Sequence, residues 1–247
     1  MGSIQSVEDL ILMGKEPNYL CLMVGLLTGI VLVTSAAPLT LLASLGVFIG
    51  AVSLLLTAYM LVERRRQLLL PAMLGLSGFL PFAWLSTHPE TVSPRLANTI
   101  YFLNIALWLL FTFYIGLLVF RRIIAARRIG RNEIYGAIYV YLLIGVLFAA
   151  VYQLLLVWQP GALYFDPARF REPEAVVGDV HTRGAGAVLY YSFVTLGTVG
   201  YGDVTPSSPL ARSLSLIEAV IGIMYVATMI ARFVSIQITG ESRGGEP

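Results

Sequence analysis

Residues 190–206 read YYSFVTLGTVGYGDVTP, and the chemistry available there belongs to backbone oxygens more than to side chains. A short helix-like run ends at Gly197. An extended run, Thr198-Val199-Gly200-Tyr201-Gly202, follows with glycine at alternate positions. Gly200 and Gly202 can take positive φ at little steric cost. Alternating left- and right-handed backbone conformations then turn successive carbonyls to one side. Four copies around an axis would stack oxygen rings able to replace the hydration shell of a bare cation. Thr198 can add its hydroxyl as the innermost ligand. Val199 and Tyr201 are expected to point away, packing behind the run and holding its width. Inside a bilayer, non-helical backbone of this kind is tolerated only where protein buries it or where it lines a watery cavity. One such run per chain means that a closed ring needs four subunits.

The string Thr195-x-x-Thr198-Val199-Gly200-Tyr201-Gly202-Asp203 resembles the signature of the potassium channel family. The resemblance covers about residues 130–238, which look like a two-helix pore module. It implies coordination of K+ by the carbonyls of Thr198, Val199, Gly200 and Tyr201, and a homotetramer. No cofactor is implied beyond K+ as the permeant ion. Some positions depart from the family pattern. Many such channels carry a pore-helix glutamate that shares a proton with the aspartate after the filter, and here that position is Val194. Gly197 stands where threonine is usual, and Tyr190 and Tyr191 replace paired tryptophans. Asp203 is therefore expected to be held by Tyr190 or left wetter. Gly222 follows Gly202 by twenty positions, the spacing at which similar pores place a hinge glycine. It could equally serve close packing of a helix.

Glu218 is the one acid inside any expected span, one turn before Gly222. An ionised carboxylate at membrane depth costs about 2.5–3.5 kcal/mol on insertion scales, so it needs a partner, water or a proton. Two placements follow. Glu218 points toward the pore helix and stands in for the glutamate missing at Val194, or it faces a water-filled cavity and concentrates cations. Ile223, Val226, Ile230 and Val234 recur at helical spacing and are expected to form the cavity wall and an intracellular constriction. Arg232, near the inner end, is expected to snorkel toward lipid phosphates.

The elements that must hold these residues follow from composition. Hydrophobic residues make up 57% of the 247-residue chain and charged residues 12%, against about 25% charged in soluble domains. The fold class expected is all-α and transmembrane, with six spans and a re-entrant pore helix between the fifth and sixth. A crossing needs about 20 apolar residues, and the candidates are Tyr19–Ala37, Leu39–Val62, Leu68–Leu85, Leu96–Phe120, Ile134–Trp158 and about Pro209–Ile238. The stretch Gln159–Arg183 is polar, and Ala185–Gly197 is too short to span. The organisation expected is a four-helix peripheral membrane domain over 1–120, a basic linker over 121–131, a pore domain over 132–238 and a short tail over 239–247. A cleaved leader ending at Ser35-Ala36-Ala37 competes for the first span, but its apolar run is longer than a typical leader core and Pro38 would follow the cut.

Charge sets the orientation. Arg64–Arg66 and the cluster Arg121, Arg122, Arg127, Arg128 and Arg131 belong in the cytoplasm by the positive-inside rule, and six spans then place both termini there in the plasma membrane. The cluster is expected to form an interfacial helix, with Ile123, Ile124 and Ile129 dipping into the bilayer and the arginines meeting anionic headgroups. A plain charged loop is the other reading. Ser6–Lys15 could form a second short amphipathic helix.

Several functions are excluded or demoted. Leu96–Phe120 carries no charge, so voltage gating by arginines in a fourth span has nothing to act on. The net charge of +2 gives no nucleic-acid footprint. The lone Cys21 allows no disulfide framework and is expected to be a small buried hydrophobe. His88 and His181 lie in outer loops with no nucleophile or metal spacing, so an enzyme is not expected. With about nine residues after Ile238, no ligand-sensing module is expected there. A potassium-uptake transporter subunit would need internal repeats, and none is found. A weakly selective cation channel remains the nearer alternative.

Overall fold

The computed structural model describes residues 18–35, 40–61, 93–126, 130–170 and 180–244. Six helices and two short strands occur there in the order α1 (Tyr19–Ser35), α2 (Thr40–Leu61), α3 (Pro94–Ala125), α4 (Arg131–Trp158), β1 (Leu163–Phe165), α5 (Val180–Leu196), β2 (Val204–Pro206) and α6 (Pro209–Gly244). Among the described residues, three stretches are long and apolar enough to cross a membrane: Thr99–Ala125 in α3, Arg131–Trp158 in α4 and Pro209–Ile238 in α6. The apolar helices α1 and α2 fall where the first two spans were expected. The expected third span, Leu68–Leu85, lies outside the described residues, as do His88, the arginines Arg64–Arg66, Arg127 and Arg128, and the stretch Ser6–Lys15.

Small residues bring α1 and α2 into direct backbone contact. A Cβ on Gly29 would sit 2.8 Å from the Gly46 carbonyl oxygen, the close crossing that small residues permit where lipid supplies no hydrophobic drive. The hairpin is not a body apart from the pore half. Leu22 and Leu26 of α1, Leu54 and Ala58 of α2, Phe111, Ile115 and Val119 of α3, and Tyr139 and Leu143 of α4 share one buried cluster with Met229 of α6. Polar contacts reinforce it. Thr57 Oγ1 and Tyr139 Oη share a hydrogen bond of 2.8 Å, and the Tyr19 amide donates to Asn132 Oδ1 at 3.1 Å. α3 and α4, which flank the expected basic linker, bury apolar residues in this same cluster.

Around residue 121 the expected interfacial helix gives way to a longer span. α3 continues without a break through Arg121 and Arg122 to Ala125. Ile123, expected to dip into lipid, is 3% exposed and belongs to the buried cluster. Cys21 is also corrected: it is exposed on α1, because the buried stripe of that helix runs through Tyr19, Leu22, Leu26 and Gly29.

The polar stretch after α4 holds an element that was not expected. β1 pairs antiparallel with β2, Leu163 opposite Pro206 and Phe165 opposite Val204. The Ala162 carbonyl oxygen accepts from the amides of Ser207 (2.9 Å) and Ser208 (3.2 Å). Ser208 then caps α6 by accepting the Ala211 amide on its Oγ at 3.1 Å, with Pro209 as the first helical residue. The segment after residue 202 is thus anchored at both of its ends.

Candidate ion-conducting site

The extended run begins where α5 ends, and the two are joined by a specific cap. The Val199 amide donates to the Val194 carbonyl and the Thr198 amide to the Thr195 carbonyl, both at 2.9 Å. That pair of bonds is the Schellman closure of a helix, which requires a left-handed residue at the position Thr198 occupies. Thr198 has φ +55°, and Gly200 and Gly202 follow with +60° and +80°. The alternation expected from the glycines is present and starts one step earlier, at a β-branched residue. A non-glycine held in this region stores on the order of 1–3 kcal/mol. Val194 takes part through its backbone oxygen.

The side chains behind the run are partly as expected. Tyr190 Oη donates to Asp203 Oδ2 at 2.7 Å, the first of the two settings foreseen for Asp203, which is 7% exposed. Asp203 Oδ1 accepts the Val204 amide at 3.0 Å, and Arg169 Nη1 lies 3.9 Å from Oδ2. The Asp166 amide donates to the Asp203 carbonyl at 2.9 Å. A line of rings runs inward from the outer loop: Phe165 on Phe170, Phe170 on Tyr190, and Tyr190 stacked on Tyr201 with centroids 6.4 Å apart and planes within 3°. The burial expected for Val199 and Tyr201 is not met within one chain, since they are 53% and 64% exposed. A single chain supplies only one wall for them.

Glu218 is settled against the cavity placement. It is 0% exposed in the isolated chain, and no assembly could expose it further. Its Oε2 accepts from Tyr152 Oη on α4 at 2.7 Å, and its Oε1 lies 2.5 Å from Ser192 Oγ on α5. It faces the pore helix, as the other placement required, but its partners are not those of the missing glutamate: Asp203 is held by Tyr190 and Arg169. Tyr191 Oη meets Ser215 Oγ at 2.6 Å in the same cluster.

Gly222 is buried, and a Cβ there would lie 2.5 Å from the Leu196 carbonyl oxygen. α6 runs unbroken through it, so the close-packing role is the one visible. Gly145 of α4 does the same against Phe193, whose ring would be 2.7 Å from an added Cβ. Ile223, Val226, Ile230 and Val234 are all exposed on α6. Arg232 is a correction. Its Nη2 donates to the Ile124 carbonyl and, at 3.3 Å, to that of Ala126, so it caps the C-terminal end of α3 and does not reach for lipid. Those last carbonyls have no intrahelical donor and carry the negative end of the helix dipole, which draws a cation.

Reading the sequence missed Tyr152, Ser192 and Ser215, although a lone acid in an apolar span is itself a signal to look for hydroxyl donors on neighbouring helices. It also missed Arg169 and Asp166, for which no local signal exists.

Residues 139–238 match the model of a family described as "Ion channel". Over 54 residues, 22% of this chain, the sequence is 39% identical to "Two pore potassium channel c" of Oryza sativa subsp. japonica. Over 49 residues, 19% of this chain, it is 41% identical to "Probable potassium channel protein 2" of Methanocaldococcus jannaschii. This part of the chain is similar to ion channel proteins. The stretches matched span 12% and 14% of those two relatives' lengths. No solved structure matches the chain.

Proposed function

We propose that the chain is one of four identical subunits of a potassium-selective channel, with K+ held by the carbonyls of Thr198, Val199, Gly200 and Tyr201 and by the Thr198 hydroxyl. The observation that carries this is the positive φ at residues 198, 200 and 202 in a run that starts at a capped helix end. Alternate handedness is what aims successive carbonyls to one side, and rings of such carbonyls replace an ion's hydration shell. Fourfold assembly accounts for a further feature: it supplies the missing cover for Val199 and Tyr201, which stand exposed in one chain. Ile223, Val226, Ile230 and Val234 then line the inner cavity and its constriction, which gates by dewetting.

Six spans place both termini in the cytoplasm of a plasma-membrane protein, with Arg121, Arg122 and Arg131 at the inner surface beside anionic lipid. The uncharged stretch Leu96–Phe120 gives the transmembrane field no arginine to move, so gating by that route is absent.

Subunit mixing tests the reading. Gly200→Ala places a Cβ on a residue at φ +60° and breaks the carbonyl ring. If one altered subunit disables a tetramer, equal mixtures of wild-type and variant chains retain about one-sixteenth of the potassium flux into liposomes. Retention of half the flux would mean that each chain conducts alone.

A further inference from the structure

Ser192 stands between two oxygens and has one hydrogen to give. Its Oγ is 2.7 Å from the Gly145 carbonyl oxygen on α4 and 2.5 Å from Glu218 Oε1 on α6. A carbonyl oxygen only accepts, and an ionised carboxylate only accepts. Ser192 and Glu218 are both 0% exposed, so bulk water supplies no hydrogen to either contact. If Glu218 were ionised, one of these two short contacts would press acceptor against acceptor in a medium that screens poorly. The arrangement that satisfies both gives the Ser192 hydrogen to Gly145 and a carboxyl hydrogen from Glu218 to Ser192. Tyr152, at 2.7 Å from Oε2, supplies the bond to the second carboxyl oxygen.

We propose that the Glu218 carboxyl is a proton-binding site behind the filter, and that its proton locks the pore helix α5 to α4 and α6 through Ser192. The groups around it permit this. From α4 it faces Tyr152 and, further away, Tyr141; from α5, Ser192 and Tyr191; from its own helix, Ser215. Among the described residues no Lys, Arg or His pairs with it; the one ion pair there is Arg169 with Asp203. A buried carboxylate without a cation is costly, which favours the neutral acid on general grounds as well. Loss of the proton leaves Ser192 unable to serve both neighbours. Either Gly145 loses its donor or the Glu218–Ser192 contact opens, and α5 shifts on its seat two turns before the filter. The protonated state is the seated, conducting one.

The effect on current rests on the conduction proposed above; the proton site itself does not, and infrared spectroscopy of purified protein reads it directly. Wild-type protein should show a protonated-carboxyl C=O band at neutral pH that disappears on alkaline titration and is missing in Glu218→Gln. Ser192→Ala should move that band to higher frequency, because the acid loses its acceptor. In bilayers, open probability should fall with rising pH, approaching about tenfold per pH unit past the midpoint for a single proton. Glu218→Gln should conduct without that dependence, since its amide donates to Ser192 and accepts from Tyr152 as the neutral acid does. Superimposable wild-type and Glu218→Gln spectra in the protonated-carboxyl region would overturn the proton site. An unchanged band in Ser192→Ala would overturn the pairing, and an unchanged pH profile in a conducting Glu218→Gln channel would overturn the gating role.

Discussion

Replacing Tyr190 by phenylalanine removes one oxygen and leaves the rest of the outer wall in place. The ring can still stack on Tyr201, so the substitution isolates the 2.7 Å bond from Tyr190 Oη to Asp203 Oδ2. Little replaces that bond. The Val204 amide already occupies Oδ1, and Arg169 is 3.9 Å from Oδ2 with its side chain 65% exposed, a pair worth little through solvent. A hydrogen bond to a charged group contributes about 1.5–3 kcal/mol. If the bond exists only while the filter is extended, its loss tilts the balance toward the collapsed filter by roughly ten- to 150-fold. Steady-state open probability in planar bilayers, together with the rate of inactivation under maintained potassium, reads that shift. Tyr191→Phe is the control, because the Tyr191 hydroxyl meets Ser215 and not Asp203. Tyr190→Phe channels whose open probability and inactivation match wild type would refute the view that this bond holds the filter.

Other substitutions probe how α3, α4, α5 and α6 hold one another. Gly222→Ala should cost about 1–3 kcal/mol as an overpacked contact against Leu196, visible as a lower melting temperature of the assembled protein; a hinge role would instead slow opening and leave stability unchanged. Gly145→Ala should destabilise by a similar amount, and Phe193→Leu should recover most of it in the double variant, since the clash is with the Phe193 ring. Arg232→Gln should weaken the hold of α6 on the end of α3 by about 0.3–2 kcal/mol, a shift of up to about thirtyfold in the gating equilibrium measured by single-channel recording. No shift there would mean that α3 and α6 move independently.

The parts legible in the sequence were those whose signal is local and repeated. Long apolar runs gave α3, α4 and α6 because a crossing needs many consecutive apolar residues, and the alternate glycines at 200 and 202 gave the handedness of the run between α5 and β2. What escaped depends on pairing between distant residues. Three-residue strands such as Leu163–Phe165 have no readable period, and their partner lies some forty residues away. Arg232 carries a charge suited to either phosphate or carbonyl oxygens, and only the proximity of Ile124 and Ala126 decides between them. The left-handed Thr198 was hidden because β-branched residues disfavour that region; it is held there by the bonds that end α5. Ile123 shows the reverse error, in which a basic neighbourhood suggested lipid although the residue faces the protein core.

The central claim is that the backbone from Thr198 to Gly202 selects potassium. Its most direct test is the reversal potential of purified protein in a bilayer with potassium on one side and sodium on the other. The account predicts a value close to the potassium equilibrium potential, collapsing toward zero if Gly200→Ala channels conduct at all. A wild-type reversal potential near zero, with sodium carrying current as readily as potassium, would contradict it.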